Sequence, residues 1–318
     1  MRTLVSLLDF SPEQERKIVE AAPGWRIVSG KGDTLDRSWL REAEVLCGWS
    51  SAVADEVLRP GTKLKWIQAG SAGVDYFPMD ELARYGIRLT DARGVHRTCV
   101  METVFALLLA LTRNLHESIR NQGKRRWARA AGVYSELRGR TMGIIGAGEI
   151  GSETARIAQA FGMRTVGIRR SGKPAPHFDE IYDGAHALDV LAMSDVVVNI
   201  LPGTDETRHW FNRARLAAMK PSALFLNVGR GMTVDTSALV EALREGRLAG
   251  AGLDVFEEEP LPDDHPLWKF DNVIVTPHIG GITASFKERI ADLLAENLSA
   301  YAKTGKPKLN EVDYRLRY

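Results

Sequence analysis

Thr141-Met142-Gly143-Ile144-Ile145-Gly146-Ala147-Gly148-Glu149-Ile150-Gly151 is an apolar run that ends in Gly-x-Gly-x-x-Gly and passes into a helical pattern from Ser152 to Phe161. That order predicts strand, tight turn and helix, the context in which three such glycines read as a dinucleotide-binding turn. Gly146 lets the chain turn, Gly148 lets a pyrophosphate approach the backbone, and Gly151 lets the helix pack close to the strand. The start of the helix then offers unpaired N–H groups and the positive end of its dipole to phosphate.

Outward from this stretch the same alternation continues. Strands are predicted at Met142–Ile145, Thr165–Ile168, Val196–Ile200, Ala223–Val228, Ala251–Val255 and Val273–Thr276, a count and order that suit a doubly wound parallel sheet. Upstream, Thr3–Leu8, Arg26–Val28, Val45–Trp49, Leu64–Ala69 and Ile87–Thr90 read as strands between the helical stretches Ser11–Ala22, Asp36–Glu44, Ala52–Leu58 and Met79–Tyr85. Ser11-Pro12-Glu13 reads as an N-cap with proline at the first helical position. Thr98 to Arg120 reads as one long helix, apolar on much of its circumference, and Thr283 to Ala302 as a final helix. The remaining tail is too short for a third domain. The expected organisation is a discontinuous α/β domain of residues 1–97 and 283–318 around a dinucleotide domain of residues 98–282.

At 318 residues the chain has room for two domains, and its 44% hydrophobic and 26% charged content is ordinary for a globular protein. A net charge of +1 gives no global field toward nucleic acid or membrane, and neither is expected as a partner. Cys47 and Cys99 are too few for a disulfide framework or a zinc site and read as buried free thiols. Met1 to Phe10 lacks the features of a signal peptide, and Val104 to Leu111 is far short of the ~20 residues that span a bilayer. A cytoplasmic location is expected. His96, His116, His177, His186, His209 and His265 have no ligand-like spacing, so no metal is expected.

Three polar residues stand beyond apolar strands of the second half. Arg230 follows Leu226-Asn227-Val228-Gly229, Glu259 follows Asp254-Val255-Phe256-Glu257-Glu258, and His278 follows Val273-Ile274-Val275-Thr276-Pro277. Open α/β sheets bind ligands outside the carboxyl ends of their strands. Taken singly, each signal is weak: Arg-Gly is ordinarily a surface turn, and a glutamate run before proline is ordinarily a solvated loop. Together beside a dinucleotide turn they make a credible hydride-transfer site. The arginine can hold a carboxylate and polarise a carbonyl. The histidine can move the proton that accompanies the hydride, and the carboxylate can hold the imidazole in its protonated form.

With these motifs in hand, the chain resembles the D-isomer-specific 2-hydroxyacid dehydrogenases, especially their glyoxylate/hydroxypyruvate reductase branch. The resemblance rests on Ala69-Gly70-Ser71-Ala72-Gly73-Val74-Asp75, the glycine fingerprint, Leu201-Pro202-Gly203-Thr204-Asp205-Glu206-Thr207, Asn227-Val228-Gly229-Arg230-Gly231, Gly252 to Pro260, His265-Pro266-Leu267-Trp268 and Thr276-Pro277-His278-Ile279-Gly280-Gly281. It implies a Rossmann nucleotide-binding domain with a smaller flavodoxin-like domain, and a homodimer. It implies Arg230, Glu259 and His278 as the catalytic set, with Ala72 and Gly73 offering N–H groups to the substrate carboxylate beside Arg230 and His278. For the cofactor it implies Gly146, Gly148, Glu149, Ile150, Gly151, Leu201, Pro202, Thr207, Val228, Gly229, Arg230, His278 and Gly280, with Asp254 taking the nicotinamide carboxamide.

The end of the second strand bears on which nicotinamide cofactor is used. An NAD enzyme places Asp or Glu about 20 residues after the glycines, on the ribose 2′-hydroxyl. Here Thr165-Val166-Gly167-Ile168 runs into Arg169-Arg170-Ser171-Gly172-Lys173. Two guanidiniums and a hydroxyl suit a 2′-phosphate, so NADPH is expected over NADH. The chain departs from the family where Arg93 to Thr103 replaces a small Ser-x-x-Val-Ala-Glu run, and Arg93 or Arg97 is a candidate for favouring more anionic substrates. Trp127 stands where the resemblance implies an aromatic that reaches a partner subunit's active site, or else it fills an interface or local core, and Trp49 is a candidate to line the substrate pocket or the core. The expected reaction is NADPH-dependent reduction of small 2-oxo acids to D-2-hydroxy acids. Phosphite or formate oxidation on the same scaffold, and a non-catalytic NAD(P)-sensing co-repressor-like role, are the alternatives.

Overall fold

The computed structural model describes residues 1–30, 35–129 and 134–316. The chain divides into two compact units, Met1–His96 with Thr283–Tyr318 and Arg97–Ile282.

The first unit opens with β1 (Thr3–Ser6), α1 (Pro12–Ala21), β2 (Arg26–Ser29), α2 (Ser38–Glu42), β3 (Val45–Cys47), α3 (Ala54–Val57), β4 (Trp66–Gln68), α4 (Met79–Arg84) and β5 (Arg88–Thr90). Its five strands are parallel in the order β2-β1-β3-β4-β5. The Ser11 hydroxyl accepts the Gln14 N–H and the Gln14 side chain accepts the Ser11 N–H, a capping box that starts α1 with Pro12 at its first position.

The second unit runs α5 (Arg97–Thr112), α6 (Leu115–Gly123), β6 (Thr141–Ile145), α7 (Glu149–Ala160), β7 (Arg164–Ile168), β8 (Glu180–Tyr182), α8 (Ala187–Met193), β9 (Val196–Asn199), α9 (Arg213–Ala217), β10 (Leu224–Asn227), α10 (Thr236–Arg244), β11 (Gly250–Leu253) and β12 (Val273–Val275). The chain closes on α11 (Phe286–Thr304), which packs against α1 in the first unit. The seven strands of the second unit are parallel in the order β12-β11-β10-β9-β6-β7-β8. The strand order therefore reverses between β6 and β9, which is where a doubly wound sheet opens its ligand crevice. Met142, Ile144, Val197, Val198 and Leu226 are fully buried in this sheet. At roughly 1.5–3 kcal/mol for each buried aliphatic chain, they make its strand ends a rigid platform for the loops beyond.

Two differences from the sequence reading have physical causes. The single helix expected over Thr98–Arg120 is two helices, α5 and α6, bent by 74°. The break falls at Asn114, whose φ of 52° is left-handed, a conformation asparagine tolerates better than most residues. α5 is buried over most of its surface, packing against α7, β10 and β11, whereas α6 turns Leu115 and Ile119 to solvent. The sheet also has one strand more than expected. β8 is a short edge strand, Glu-Ile-Tyr, with no buried residue and hence no apolar signal. Cys47 and Cys99 are buried and in no disulfide among the described residues, and burial pushes the Cys47 thiol up to about 12. Among the described residues no single helix is long and apolar enough to cross a membrane.

Candidate active site and dinucleotide cradle

Beyond β6 each fingerprint glycine answers a different steric demand. Gly146 has φ +111°, and a methyl there would lie 2.9 Å from the Ile200 carbonyl. A methyl on Gly151 would collide with the Gly146 carbonyl oxygen. Gly148 caps α7 in an extended conformation, with no atom within 4 Å of where its Cβ would be, so a side chain there would fill open space above the helix start. That space beside unpaired helical N–H groups fits a pyrophosphate. Glu149 is the exposed first residue of α7, and its carboxylate lies 3.4 Å from Arg97 Nη1. Ile150 packs on the core beneath.

At the end of β7, Arg169 N–H donates to Tyr182 O at 3.1 Å and its Nη1 to Pro174 O at 3.3 Å. The guanidinium is half-buried, while Arg170 and Ser171 stand exposed in the turn that follows. Asp183 lies beside this turn, 3.5 Å from where a Gly172 Cβ would be. Its carboxylate is committed to His186 Nδ1 at 2.8 Å and Ala185 N–H at 3.0 Å, and these bonds, His186 first, hold it below the usual carboxylate range.

Beyond β11 and β12 the structure brings two of the three predicted polar residues into contact. Glu259 Oε2 lies 2.7 Å from His278 Nδ1, and Glu259 Oε1 accepts the Phe256 N–H at 2.9 Å. His278 has φ +53°, a left-handed conformation that costs of order 1–3 kcal/mol outside glycine and persists where the surroundings over-determine it. Asp254 supplies that constraint. Its carbonyl accepts the His278 N–H at 2.9 Å, and its carboxylate accepts Thr276 Oγ1 at 2.5 Å, Ile279 N–H at 3.0 Å and Gly280 N–H at 2.8 Å. Three of its roughly four acceptor positions are thus filled by the loop that carries His278.

Arg230 is held by a buried network that the sequence reading missed. Asn199 ends β9 and Asn227 ends β10. The Asn199 amide donates to Asn227 Oδ1 at 2.9 Å and to Thr233 Oγ1 at 2.7 Å, and Thr233 Oγ1 donates to Arg230 O at 2.6 Å. Asn227 Oδ1 also accepts Gly229 N–H, and Asn199 Oδ1 accepts Leu201 N–H. Two asparagines ending apolar strands are the only trace of this in the sequence. Gly231 presses so closely on the Phe256 carbonyl that a methyl would collide with it. The Arg230 loop and the segment carrying Glu259 are therefore in backbone contact.

The other predicted positions fall as follows. A methyl on Gly229 would lie 2.7 Å from Leu201 O, and Val228 N–H bonds Asn199 O, so both line the β9–β10 strand ends with Leu201. The Thr207 hydroxyl donates to Pro202 O at 2.6 Å and shares a capping box with Thr204. Ala72 and Gly73 lie half-buried in the loop after β4, and no acceptor among the described residues pairs with their N–H groups. Arg93 is paired with buried Asp91 at 2.8 Å, so it and Arg97 both have acidic partners. Trp49 stacks on Phe77 against the core of the first unit. Trp127 is fully exposed at 105% and fills no local core. Among the described residues no group of three or more His, Cys, Asp or Glu side chains could hold a metal ion.

Comparison with known proteins agrees with this architecture. The sequence model described as "D-isomer specific 2-hydroxyacid dehydrogenase, NAD binding domain" matches residues 105–280. A glyoxylate reductase of Aeropyrum pernix is 39% identical, over 87% of this chain and 84% of the relative. A D-isomer-specific 2-hydroxyacid dehydrogenase family protein from Aeromonas salmonicida superposes with a TM-score of 0.85 at 37% identity, covering 98% of this chain and 99% of that one. An NADPH-dependent glyoxylate/hydroxypyruvate reductase from Sinorhizobium meliloti, solved with citrate, superposes with a TM-score of 0.80 at 28% identity, covering 99% of this chain and 98% of that one.

Proposed function

The chain belongs to the D-isomer-specific 2-hydroxyacid dehydrogenase family and is an NAD(P)-dependent oxidoreductase, and from that premise we propose that it reduces small 2-oxo acids to D-2-hydroxy acids with NADPH. Glyoxylate and hydroxypyruvate are the first substrates to try, after the names of its relatives. The observation that carries the reading is the Glu259–His278 pair at 2.7 Å beyond the strand ends of a dinucleotide-type sheet.

A reduced nicotinamide held over the dinucleotide unit would supply the hydride for a substrate carbonyl. The chain's own residues do the rest. Arg230 holds the substrate carboxylate and faces the charge that grows on the carbonyl oxygen, typically the largest catalytic contribution. The N–H groups of Ala72 and Gly73 are assigned to the same carboxylate. With Nδ1 turned to Glu259, His278 gives its proton to the carbonyl oxygen from Nε2, and the Glu259 carboxylate stabilises the imidazolium beforehand. Gly146, Gly148 and Gly151 with the start of α7 cradle the pyrophosphate, and Arg169, Arg170 and Ser171 read the 2′-phosphate. Leu201, Pro202, Thr207, Val228, Gly229, Asp254 and Gly280 complete the cofactor's surroundings, Asp254 chiefly by fixing the loop that bears His278.

We assign the protein to the cytoplasm as a homodimer. Fully exposed Trp127 and the exposed Leu115 and Ile119 of α6 are the apolar surface a second copy would cover, and light scattering measures the mass directly. The decisive experiment is His278→Ala, assayed by NADPH absorbance with a panel of 2-oxo acids. Turnover should fall at least about a thousandfold, within the usual reach of a general acid, while NADPH binding survives. Near-normal turnover would refute the assignment.

A further inference from the structure

Glu257 stands two residues before Glu259 in the same turn, but its carboxylate takes other partners. Its Oε1 lies 2.6 Å from His209 Nε2, and its Oε2 accepts the Thr236 N–H at 2.8 Å at the start of α10. Both partners flank the Arg230 loop. His209 N–H donates to Met232 O at 2.9 Å, Phe211 N–H to Thr233 O at 2.9 Å, and Asp235 N–H to Phe211 O at 3.0 Å. His209 also has a left-handed φ of 48°, so its side chain reaches Glu257 from a constrained backbone. Burial pushes the Glu257 carboxyl upward, but the bonds from Thr236 and His209 outweigh it and hold it below the usual range. The carboxylate is thus charged at neutral pH and bridges two segments that also touch at Gly231 and Phe256.

We infer that Glu257, with His209, is a positioning residue that locks the Glu259 turn to the Arg230 loop. Neither group touches the reacting atoms. The turn from Phe256 to Glu259 is closed on one side by Glu259 itself, through the Phe256 N–H. On the other side the Glu257 bridge fixes where that turn lies relative to residues 230–236. Without the bridge the Glu259 carboxylate keeps its local turn but loses its register with Arg230, and its hold on His278 Nδ1 loosens. Catalytic groups need to be held within about half an ångström of productive geometry, so a small drift is costly.

The inference rests on the proposed reduction, and two readouts keep them apart. In Glu257→Ala, kcat for the best 2-oxo acid should fall at least tenfold while the dissociation constant of NADPH stays within twofold. Glu257→Gln, which can accept from Thr236 N–H and donate to a neutral His209, should recover most of the loss. His209→Ala removes only a half-exposed imidazole and should give a smaller loss in the same direction, which serves if Glu257→Ala does not fold. Independently of any substrate, the low-field proton resonance of His278 Nδ1–H, assigned by its absence in His278→Gln, should broaden or vanish in Glu257→Ala and return in Glu257→Gln. An unchanged resonance overturns the inference whatever the enzyme's reaction. So does a kcat within twofold of wild type in both Glu257→Ala and His209→Ala.

Discussion

Among the three residues proposed to read the 2′-phosphate, Arg169 is the one whose surroundings the structure defines most closely. Its N–H is held by the Tyr182 carbonyl, and among the described residues its side chain bonds one acceptor, the uncharged Pro174 carbonyl. A 2′-phosphate would offer it an anionic acceptor in place of that uncharged one. Such bonds contribute about 1.5–3 kcal/mol, roughly ten- to hundredfold in affinity. Arg169→Asp should therefore raise the KM for NADPH by that factor and lower the KM for NADH, since a carboxylate accepts from a 2′-hydroxyl and repels a phosphate. Steady-state kcat/KM with both cofactors measures the effect, and a wild-type preference for NADH would remove its basis. Asp254 works at shorter range: a residue 2% exposed, with both oxygens bonded, it fixes the backbone of the loop that bears His278.

Among the elements, the hinge of the dinucleotide sheet is the pairing of β6 with β9, and Asp195 fastens it. Its N–H donates to Thr141 O at 2.9 Å, its carboxylate accepts the Thr141 N–H at 2.8 Å, and Lys220 Nζ lies 2.8 Å away. Burial pushes this carboxyl up, but the Lys220 and Thr141 bonds prevail and hold it below the usual range. A depressed carboxyl stabilises the fold above its unfolded pKa, about 3.9, and that stabilisation is lost as pH falls through the folded value. The wild-type melting temperature should drop on acidification below about pH 4, and Asp195→Asn should melt lower at pH 7 with a shallower acid limb. Parallel melting curves for the two would exclude the role. Much of this layer is legible in the sequence. The alternation of apolar runs and amphipathic stretches gives the α/β class, and the glycine spacing gives the switch point, because both are local patterns. The bend at Asn114, the edge strand β8, the Asn199–Asn227–Thr233 network and the Glu257–His209 bridge are not legible. The bend turns on one left-handed residue inside an otherwise helical pattern, and the others depend on partners distant along the chain, which no periodicity records. Arg230, Glu259 and His278 are readable as residues beyond strand ends, but the 2.7 Å pair between the latter two is a property of the fold.

For the molecule as a whole, the informative feature is how the last residues return to complete the first unit. Asn297, on α11 and fully buried, accepts the Lys308 and Leu309 N–H groups at 3.0 and 2.7 Å and donates to Leu309 O and to Gln68 Oε1. Gln68, at the end of β4, in turn donates to Ala69 O and Asp91 O at 3.1 Å, and Thr90 links it to the Trp66 indole. The tail then pairs with β5 through Glu311 and Val312. A polar network this fully satisfied gives the tail one place to sit, and it anchors the loop that begins at Ala69 and carries Ala72 and Gly73. Replacing Asn297 by Leu removes the acceptor of the Lys308 and Leu309 N–H groups and leaves the buried end of the network without its amide, at about 1–3 kcal/mol for each group that water does not reach. The urea midpoint should fall accordingly. If Ala72 and Gly73 hold the substrate carboxylate, the KM for the 2-oxo acid should rise severalfold while the KM for NADPH, bound by the other unit, stays put. A variant with an unchanged urea midpoint would show that the tail is held by apolar packing alone.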